Sequence, residues 1–516
     1  MSDVVDEKKL RDAEMEVSAI PVDKEDFASA ISDGDDALKV VGTQRTHTFD
    51  KEYNRKLRRK IDLLIPPLCA AVYFTQFLDK NILNYASIMG LPIKGIDFNN
   101  VAMAFYLGFM VWQFPTQYIA QKFPIAKYLG VNVTLWGVVV ILHSTAPKFS
   151  GFYACRFILG MLECCVAPIL ILIISMWYKK NEQASRISYF YLMNGLTSIF
   201  GGFIAYGLTF YEGGIPQWKL IYIILGALAI IVGICVLIWM PDSPVTARFL
   251  TEEERIAALE RVRDDQAGTH NKHIKKYQIY ESLKDVRTWF IFLIVMCIGL
   301  PNGAMSSFGN LVMKSFGFTS RQALLLGTPS GLISAVTVIL FGYWSDFIND
   351  RMTLITLSMV PNLIGMALMT AFQKSGNKGV LLFSIYIQGF SGPCFPLVYA
   401  WNASNTSGHT KKVTLNAITL FTFGLGNVVG SYLFLPADAP NYIPGKIAIV
   451  VLIAITMVAC IVLRFINLHM NKNKKRALDA AIAANNWTEE DVQREREKAA
   501  FLDMTDKENP YFVYTK

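Results

Sequence analysis

Hydrophobic residues fall into long blocks along this chain. Runs of roughly 20 predominantly apolar residues, the length that crosses a bilayer as a helix, alternate with short polar segments. Twelve such runs are present, at about 61–86, 98–121, 130–147, 152–176, 187–210, 218–240, 287–311, 323–344, 353–372, 380–402, 414–434 and 446–469. The pattern predicts an all-α membrane protein with twelve transmembrane helices, numbered here as spans 1 to 12.

The composition and the placement of charge agree with a membrane setting. Of the 516 residues, 53% are hydrophobic and 17% are charged, whereas about a quarter are charged in soluble proteins. Lysine and arginine are concentrated before span 1, in the short loops after even-numbered spans and after span 12. Because positive loops mark the cytoplasmic side, we expect both termini in the cytoplasm. The net charge of +8 therefore does not indicate a nucleic-acid partner.

The spans divide into two halves of six. Six spans, a charged linker and six more spans are the arrangement that parallel repeats in a transporter produce. Within the linker, Thr251 and Glu254 form a capping-box pattern that predicts a surface helix. The predicted organisation is a disordered tail at 1–50, bundles at 51–240 and 287–470, the linker at 241–286 and a cytoplasmic tail at 471–516.

Four ionisable residues interrupt the first half: Asp79 and Lys80 in span 1, and Arg156 and Glu163 in span 4. A charge near the bilayer centre costs about 2.5–3.5 kcal/mol on insertion scales. These residues must therefore pair, face the bundle interior or line a wet cavity. Arg156 and Glu163 are two helical turns apart and share a face. They could form a structural ion-pair network, but ionisable residues inside membranes usually mark an ion or substrate path.

The chemistry of these four groups suits proton-coupled movement of an anion. A carboxyl group in a low-dielectric site favours its protonated form, so Asp79 and Glu163 are predicted to carry protons. Lys80 and Arg156 supply fixed positive charge and are predicted to bind an anionic substrate, since arginine can grip a carboxylate through two hydrogen bonds. A proton would then neutralise an acid while the anion neutralises a cation.

Further polar residues lie in the second half. Asn302, Ser306 and Asn310 recur every four residues in span 7 and share one helical face. We predict that Asn302, Asn310 and, in span 10, Gln388 contact substrate, although hydrogen bonds between helices are the competing explanation. No nucleotide-binding loop, metal-ligand spacing or nucleophile elbow is evident. We therefore expect no enzymatic activity and no cofactor, with the proton gradient as the driving force.

Several longer stretches resemble a known family. The carrying motifs are "LDKNILNYA" in span 1, "RFILGMLECCVAPILILIISMWYKKNEQASR" from span 4, "LPNGAMSSFGNLVMKSFGFTSRQALLLGTPSG" in spans 7 and 8, and "DMTDKENPYFVYTK" at the end. They resemble the anion:cation symporters of the major facilitator superfamily, and within that family the fungal allantoate permease branch. The segment "GYWSDFINDR" resembles the superfamily loop signature.

The resemblance implies a fold of two pseudo-symmetric six-helix bundles and site roles for matching residues. The acids that carry protons match Asp79 and Glu163, and the cation that contacts the substrate carboxylate matches Lys80. The loop signature implies a gating role for three residues, Gly342, Asp346 and Arg351.

The branch also implies a range of functions. Its substrates include allantoate, ureidosuccinate, dipeptides, vitamin carboxylates and sulfur-containing acids, and nothing in the sequence selects among them. We expect a monomer that imports such an anion with protons across a fungal plasma membrane. A proton-independent uniporter or antiporter, and a nutrient receptor with a transporter fold, remain the alternatives.

Overall fold

The computed structural model describes residues 50–178, 180–266, 275–348, 350–373, 375–485 and 505–515. All regular secondary structure in these ranges is helical. The disorder predicted for 1–50 falls, except for Asp50, outside the described residues. Ten of the described helices are long and apolar enough to cross a membrane, and they correspond to every predicted span except 2 and 5.

The first half contains spans 1 to 6 and a preceding polar helix, Lys51–Asp62. Spans 4 and 5 are each interrupted for one or two residues, so that two helices follow one another along the same span. The bounds are Ile65–Ala86 for span 1, Ile96–Lys122 for span 2, Ile125–His143 for span 3, Phe149–Glu163 and Val166–Trp177 for span 4, Lys180–Tyr191 and Met193–Leu208 for span 5, and Gln217–Trp239 for span 6.

The second half repeats the plan with different interruptions. A short 3-10 turn, Gln388–Ser391, divides span 10. Span 12 continues far beyond its predicted end at 469, because the polar residues that follow the hydrophobic run include many good helix formers. The bounds are Val286–Ser315 for span 7, Ser320–Leu326 and Thr328–Ile348 for span 8, Arg351–Ala371 for span 9, Lys378–Ile387 and Cys394–Asn405 for span 10, His409–Gly430 for span 11, and Ile443–Asn485 for span 12.

The two halves pack in the same way. Spans 1 and 5, 2 and 4, and 3 and 6 are neighbours in the first half, as are 7 and 11, 8 and 10, and 9 and 12 in the second. Small residues allow the closest approaches, as they commonly do between membrane helices. A Cβ atom on Gly137 of span 3 would lie 2.8 Å from the carbonyl oxygen of Gly226 in span 6. We call the two halves the N bundle and the C bundle.

Both termini of the described chain and the linker lie at one end of the bundles, which we call the tail face. Lys60 of the first helix pairs with Glu254 of the linker at 2.6 Å. The opposite end, with the short loops after odd-numbered spans, is the loop face. The predicted capping box is confirmed, since Thr251 N–H donates to Glu254 Oε2 at 2.9 Å and starts the helix Glu252–Gln266. A second linker helix, Lys276–Lys284, was not predicted.

Candidate transport site

Three of the four predicted intramembrane charges lie inside the N bundle. Asp79 and Glu163 are each 1% exposed and Arg156 is 2% exposed. Neither carboxylate makes a hydrogen bond to any described residue. The charges of Asp79, Arg156 and Lys80 all act on Glu163. The structure therefore places the two acids and the arginine in one buried electrostatic cluster.

Spans 1 and 4 hold this cluster together. Gln76 of span 1 donates from Nε2 to the backbone carbonyl of Glu163 at 3.2 Å. The guanidinium carbon of Arg156 lies 5.8 Å from the ring centre of Phe105 in span 2. Among the described atoms, Arg156 Nε and Trp136 Nε1 are buried without a hydrogen-bond partner. Burying a carboxylate without a partner is costly, and neutralising it is the usual way to reduce that cost.

Lys80 points away from the cluster, towards the interface between the bundles. Its Nζ donates to Asn302 Oδ1 of span 7 at 3.2 Å. Three aromatic rings surround the ammonium group at cation–π distances. The ring centres lie at 5.5 Å for Phe77, 5.7 Å for Tyr106 and 5.9 Å for Phe423. Spans 1, 2, 7 and 11 thus meet around a half-buried cation.

The predicted polar stripe of span 7 faces the N bundle along its length. Asn302 accepts from Lys80, as described above. Ser306 Oγ lies 2.9 Å from the Tyr106 hydroxyl. Asn310 N–H donates to Asn84 Oδ1 at 2.8 Å, and Asn310 Nδ2 donates to the Asn84 carbonyl at 3.2 Å. In this conformation the stripe joins the bundles, and Asn310 is engaged with Asn84 of span 1.

Other contacts close the loop face beyond Lys80. Asn99 of span 2 donates from Nδ2 to the Ser431 carbonyl at 2.6 Å. The Tyr432 hydroxyl donates to Asn100 Oδ1 at 2.6 Å. Arg321 of span 8 donates to the Thr209 carbonyl at 3.0 Å. These hydrogen bonds between the two bundles lie on the loop-face side of Lys80 or at its level.

Span 10 contacts spans 8 and 9 at its 3-10 interruption. Gln388 begins the interruption, and its Nε2 is buried with no hydrogen-bond partner among the described atoms. Further along, Phe395 stacks on Phe423 with ring centres 4.1 Å apart. The predicted substrate contact Gln388 therefore lies on the span whose next turns support the aromatic group around Lys80.

The three predicted gating residues occupy the tail-face end of spans 8 and 9. A Cβ atom on Gly342 would meet nothing within 4 Å. The side chain of Asp346 lies outside the described part of the structure. Arg351 donates from NH1 to Ser404 Oγ at 2.7 Å and to Thr515 Oγ1 at 3.4 Å. The described contacts of Arg351 therefore link it to span 10 and to the end of the chain.

Sequence reasoning missed four residues that shape the site. Phe77, Tyr106 and Phe423 look like ordinary lipid-facing or core aromatics in an apolar span, so no local signal distinguishes them. Asn84 does carry a signal, because it follows Lys80 by four residues and shares its helical face. Its partner on another span could not be identified from spacing.

Twelve spans in two repeated six-helix bundles, with ionisable groups inside one bundle and a cation between the two, define a membrane transporter. The chain belongs to the Major Facilitator Superfamily, whose family model matches residues 69–431 and 291–496. The predicted fold class is thereby confirmed.

Curated relatives match over nearly the full length. An uncharacterized transporter of Schizosaccharomyces pombe is 36% identical over 100% of both chains. The allantoate permease of Saccharomyces cerevisiae is 34% identical and covers 93% of this chain and 90% of its own. The thiamine pathway transporter THI73 of the same yeast is 33% identical over 98% of both chains. These relatives confirm the resemblance to the fungal allantoate permease branch and identify a transport protein.

Solved structures agree on the fold. The nucleoside transporter NupG has a TM-score of 0.57 at 13% identity, covering 77% of this chain and 98% of its own. The xylose transporter XylE from E. coli has a TM-score of 0.55 at 14% identity, covering 76% and 95%.

Proposed function

We propose that this transporter imports a small organic anion together with protons by alternating access. The observation that carries the proposal is the position of Lys80. Its ammonium group stands between the bundles with no carboxylate partner among the described residues, while Asp79 and Glu163 lie behind it in the N bundle. One relative is named an allantoate permease, which supports a nitrogen-containing acid as substrate, and another is named a thiamine pathway transporter.

The substrate carboxylate would bind Lys80 in place of Oδ1 of the Asn302 side chain. Both bonds have the charged ammonium group as donor, but a carboxylate also brings an opposite charge. The added Coulomb attraction favours the exchange. The ring faces of Phe77, Tyr106 and Phe423 then offer apolar surface to the body of the substrate. A compact ammonium group accepts varied carboxylate geometries, which suits a branch whose members carry different acids.

Protons would enter through the buried acids. Two carboxylates share the cluster with one fully buried cation, Arg156, so keeping both ionised leaves an excess negative charge in a low-dielectric site. Lys80 partly offsets that excess because its charge also acts on Glu163. When a substrate anion neutralises Lys80, the protonated form of Glu163 becomes more favourable. Substrate binding and proton binding would thus support each other.

The distribution of lysine and arginine supports a cytoplasmic tail face and an outward loop face. The contacts of Asn84, Asn99 and Arg321 would then hold the transporter closed to the outside. We further propose that it works as a monomer in the plasma membrane, since each chain contains both bundles and the complete interface around Lys80.

Purified protein in lipid vesicles tests the proposal. An inward proton gradient should drive accumulation of at least one acid from a panel of allantoate, ureidosuccinate, dipeptides, vitamin carboxylates and sulfur-containing acids, and a protonophore should abolish it. Asp79→Asn and Glu163→Gln should lose accumulation but keep exchange. Glu212→Gln, at an exposed position of the loop face, is the matched control.

The alternatives give different results in the same assay. A uniporter or antiporter would equilibrate or exchange an acid at the same rate with and without the proton gradient. A receptor would bind an acid without flux under any condition. Accumulation that survives in both Asp79→Asn and Glu163→Gln would remove these acids from the coupling mechanism.

A further inference from the structure

Residues 505–515 return to the tail face and lie against the C bundle. We call this segment the strap. It begins with a reciprocal cap, in which Thr505 N–H donates to Glu508 Oε2 at 2.9 Å and Glu508 N–H donates to Thr505 Oγ1 at 3.2 Å. The strap contacts the tail-face ends of spans 7, 9, 10, 11 and 12. It is therefore placed where the C bundle faces the tail side.

A buried ion cluster anchors the strap. The side chain of Asp506 is 0% exposed and pairs with Arg287, at the start of span 7, at 2.5 Å. It also pairs with Lys411, at the start of span 11, at 2.7 Å. Arg287 makes a second pair with Asp285 at 2.6 Å, and Lys411 makes one with Glu281 of the second linker helix at 2.8 Å. A second strap residue, Lys507, lies 3.5 Å from Asp285, so the described network contains six charges, two of them from the strap.

The cluster is charged near neutral pH. Burial alone would raise the pKa of Asp506, but Arg287 and Lys411 together hold it below its usual range. Burial likewise opposes ionisation of Asp285, whose pKa the neighbouring Arg287 guanidinium keeps well below the usual value. Removing the Asp506 charge would leave two buried cations short of a counter-ion, which is far more costly than never having made the pair.

The end of the strap is held by side chains of span 12. Asn471 bonds the backbone of Tyr514 twice, accepting from its N–H at 2.9 Å and donating to its carbonyl at 2.8 Å. The Tyr514 hydroxyl donates to Asp506 Oδ2 at 2.9 Å, and its ring centre lies 4.3 Å from the Arg287 guanidinium. The tyrosine thus covers the ion cluster.

The next residue, Thr515, connects the strap to Arg351, one of the predicted gating residues. Thr515 Oγ1 accepts from Asn405 Nδ2 at 2.6 Å and from Arg351 NH1 at 3.4 Å. Its carbonyl accepts from Asn467 Nδ2 at 2.8 Å. Arg351 belongs to the loop signature to which the sequence assigned gating. The strap therefore contacts both the ion cluster and a predicted gating residue.

The linker is attached to a different bundle at each of its helices. The first helix pairs with the N bundle side, where Arg261 contacts Glu182 and Glu254 contacts Lys60. The second helix pairs with the C bundle through Glu281 and Lys411, inside the cluster that the strap completes. The second linker helix is thus attached to the C bundle within the cluster to which Asp506 belongs.

We propose that the strap is a latch that fixes the tail-face ends of the C-bundle spans and the second linker helix as one unit, and that this unit is required for rapid closure of the tail face. Closure must bring several helix ends into contact with the N bundle together. With the strap released, ordering those ends becomes part of each closing event, and ordering costs conformational entropy. Release therefore slows closing and does not alter the substrate site around Lys80.

The full-length protein in nanodiscs tests this without a substrate. Dyes placed through non-canonical amino acids at Phe123 and Phe347, which are 59% and 90% exposed at the tail-face ends of spans 2 and 8, report tail-face closing by single-molecule energy transfer. Asp506→Asn should lower hydrogen-exchange protection of residues 505–515 at least tenfold and slow closing at least threefold. Asp506→Glu should restore part of both. Val513→Ala, at a strap position that is 73% exposed, should change neither.

Thr515→Val provides a variant that leaves the ion cluster intact. It removes the hydroxyl that contacts Arg351 and should slow closing while keeping protection at Asp506. If Asp506→Asn does not accumulate in membranes, the closing rate of Thr515→Val by itself tests the proposal. The proposal would be overturned if Thr515→Val, and Asp506→Asn where it can be purified, close at the wild-type rate. Unchanged strap protection in Asp506→Asn would also overturn it.

Discussion

The pair formed by Asn84 and Asn310 allows a quantitative test of how the loop face is closed. The two residues make two hydrogen bonds, but the bonds use different atoms. Asn84 accepts through its side chain from the backbone of Asn310, whereas Asn310 donates through its side chain to the backbone of Asn84. Asn84→Ala therefore removes only the first bond, and Asn310→Ala removes only the second.

The magnitude follows from the ordinary net contribution of a hydrogen bond, about 1 kcal/mol. Each single variant should shift the equilibrium between the closed and open loop face about fivefold towards open, since about 1.4 kcal/mol corresponds to tenfold. Because the variants remove separate bonds, the double variant should shift it by about 2 kcal/mol, roughly 30-fold. Residues in direct contact usually couple, so this additivity is specific to the observed geometry.

Dyes at Ile215 and Phe372, two exposed side chains in loops of the loop face, report the open fraction by single-molecule energy transfer. Thr145→Val is the matched control, because its hydroxyl bonds only the local Leu142 carbonyl among described residues. If neither single variant changes the open fraction, the Asn84–Asn310 pair does not hold the loop face closed. A double variant no more open than either single would show that the two bonds do not form independently.

Three further predictions concern single sites. Lys80→Met should weaken binding of a carboxylate substrate about 10- to 150-fold, the worth of a hydrogen bond to a charged group, while Lys80→Arg should retain binding and change the ranking of acids in a titration. Arg156→Ala should reduce the amount of folded protein in detergent chromatography, because it leaves buried acids without a cation, and adding Glu163→Ala should restore it; equal amounts in both variants would contradict this. Because the pKa of Asp506 is lowered in the folded state, its stabilisation is complete above the ordinary carboxyl pKa of about 3.9 and is lost as pH falls through the lower folded value. Hydrogen-exchange protection of the strap, corrected for intrinsic rates, should thus be constant between pH 5 and 7, and a loss within that window would argue against the ion cluster as the anchor.

Sequence and structure agree where the signal is local. Hydrophobic run length located the spans, and the capping box at Thr251 gave the start of the linker helix. The insertion cost of intramembrane charges singled out Asp79, Arg156 and Glu163, all of which the structure buries. Periodicity placed Asn302, Ser306 and Asn310 on one face, and they do share a face.

The remainder depends on contacts between distant parts of the chain. Periodicity cannot name the neighbour of a face, so the partners Tyr106 and Asn84 could not be derived from it. The polar extension of the span 12 helix to Asn485 was not predicted, because hydropathy falls there while helix propensity does not. The strap was not predicted because Asp506 meets Arg287 across 219 residues of sequence, and a short polar segment carries no signal of where it packs.

In the proposed cycle, proton coupling and substrate recognition occupy different places, the interior of the N bundle and the interface between the bundles. In the proposed cycle, all four ionisable residues belong to the N bundle, but only Lys80 reaches the surface that the C bundle covers. A substrate at that surface can therefore influence the buried acids through Lys80 alone. Thermodynamic linkage makes such an influence reciprocal: if a bound anion strengthens proton binding by some factor, a bound proton strengthens anion binding by the same factor. If Lys80 were paired with a carboxylate of the protein itself, its charge would already be neutralised. Substrate binding could then no longer influence proton binding through it. Lys80 has a neutral hydrogen-bond partner in Asn302 and lies among three aromatic rings. In the proposed cycle its charge therefore stays available until the substrate arrives.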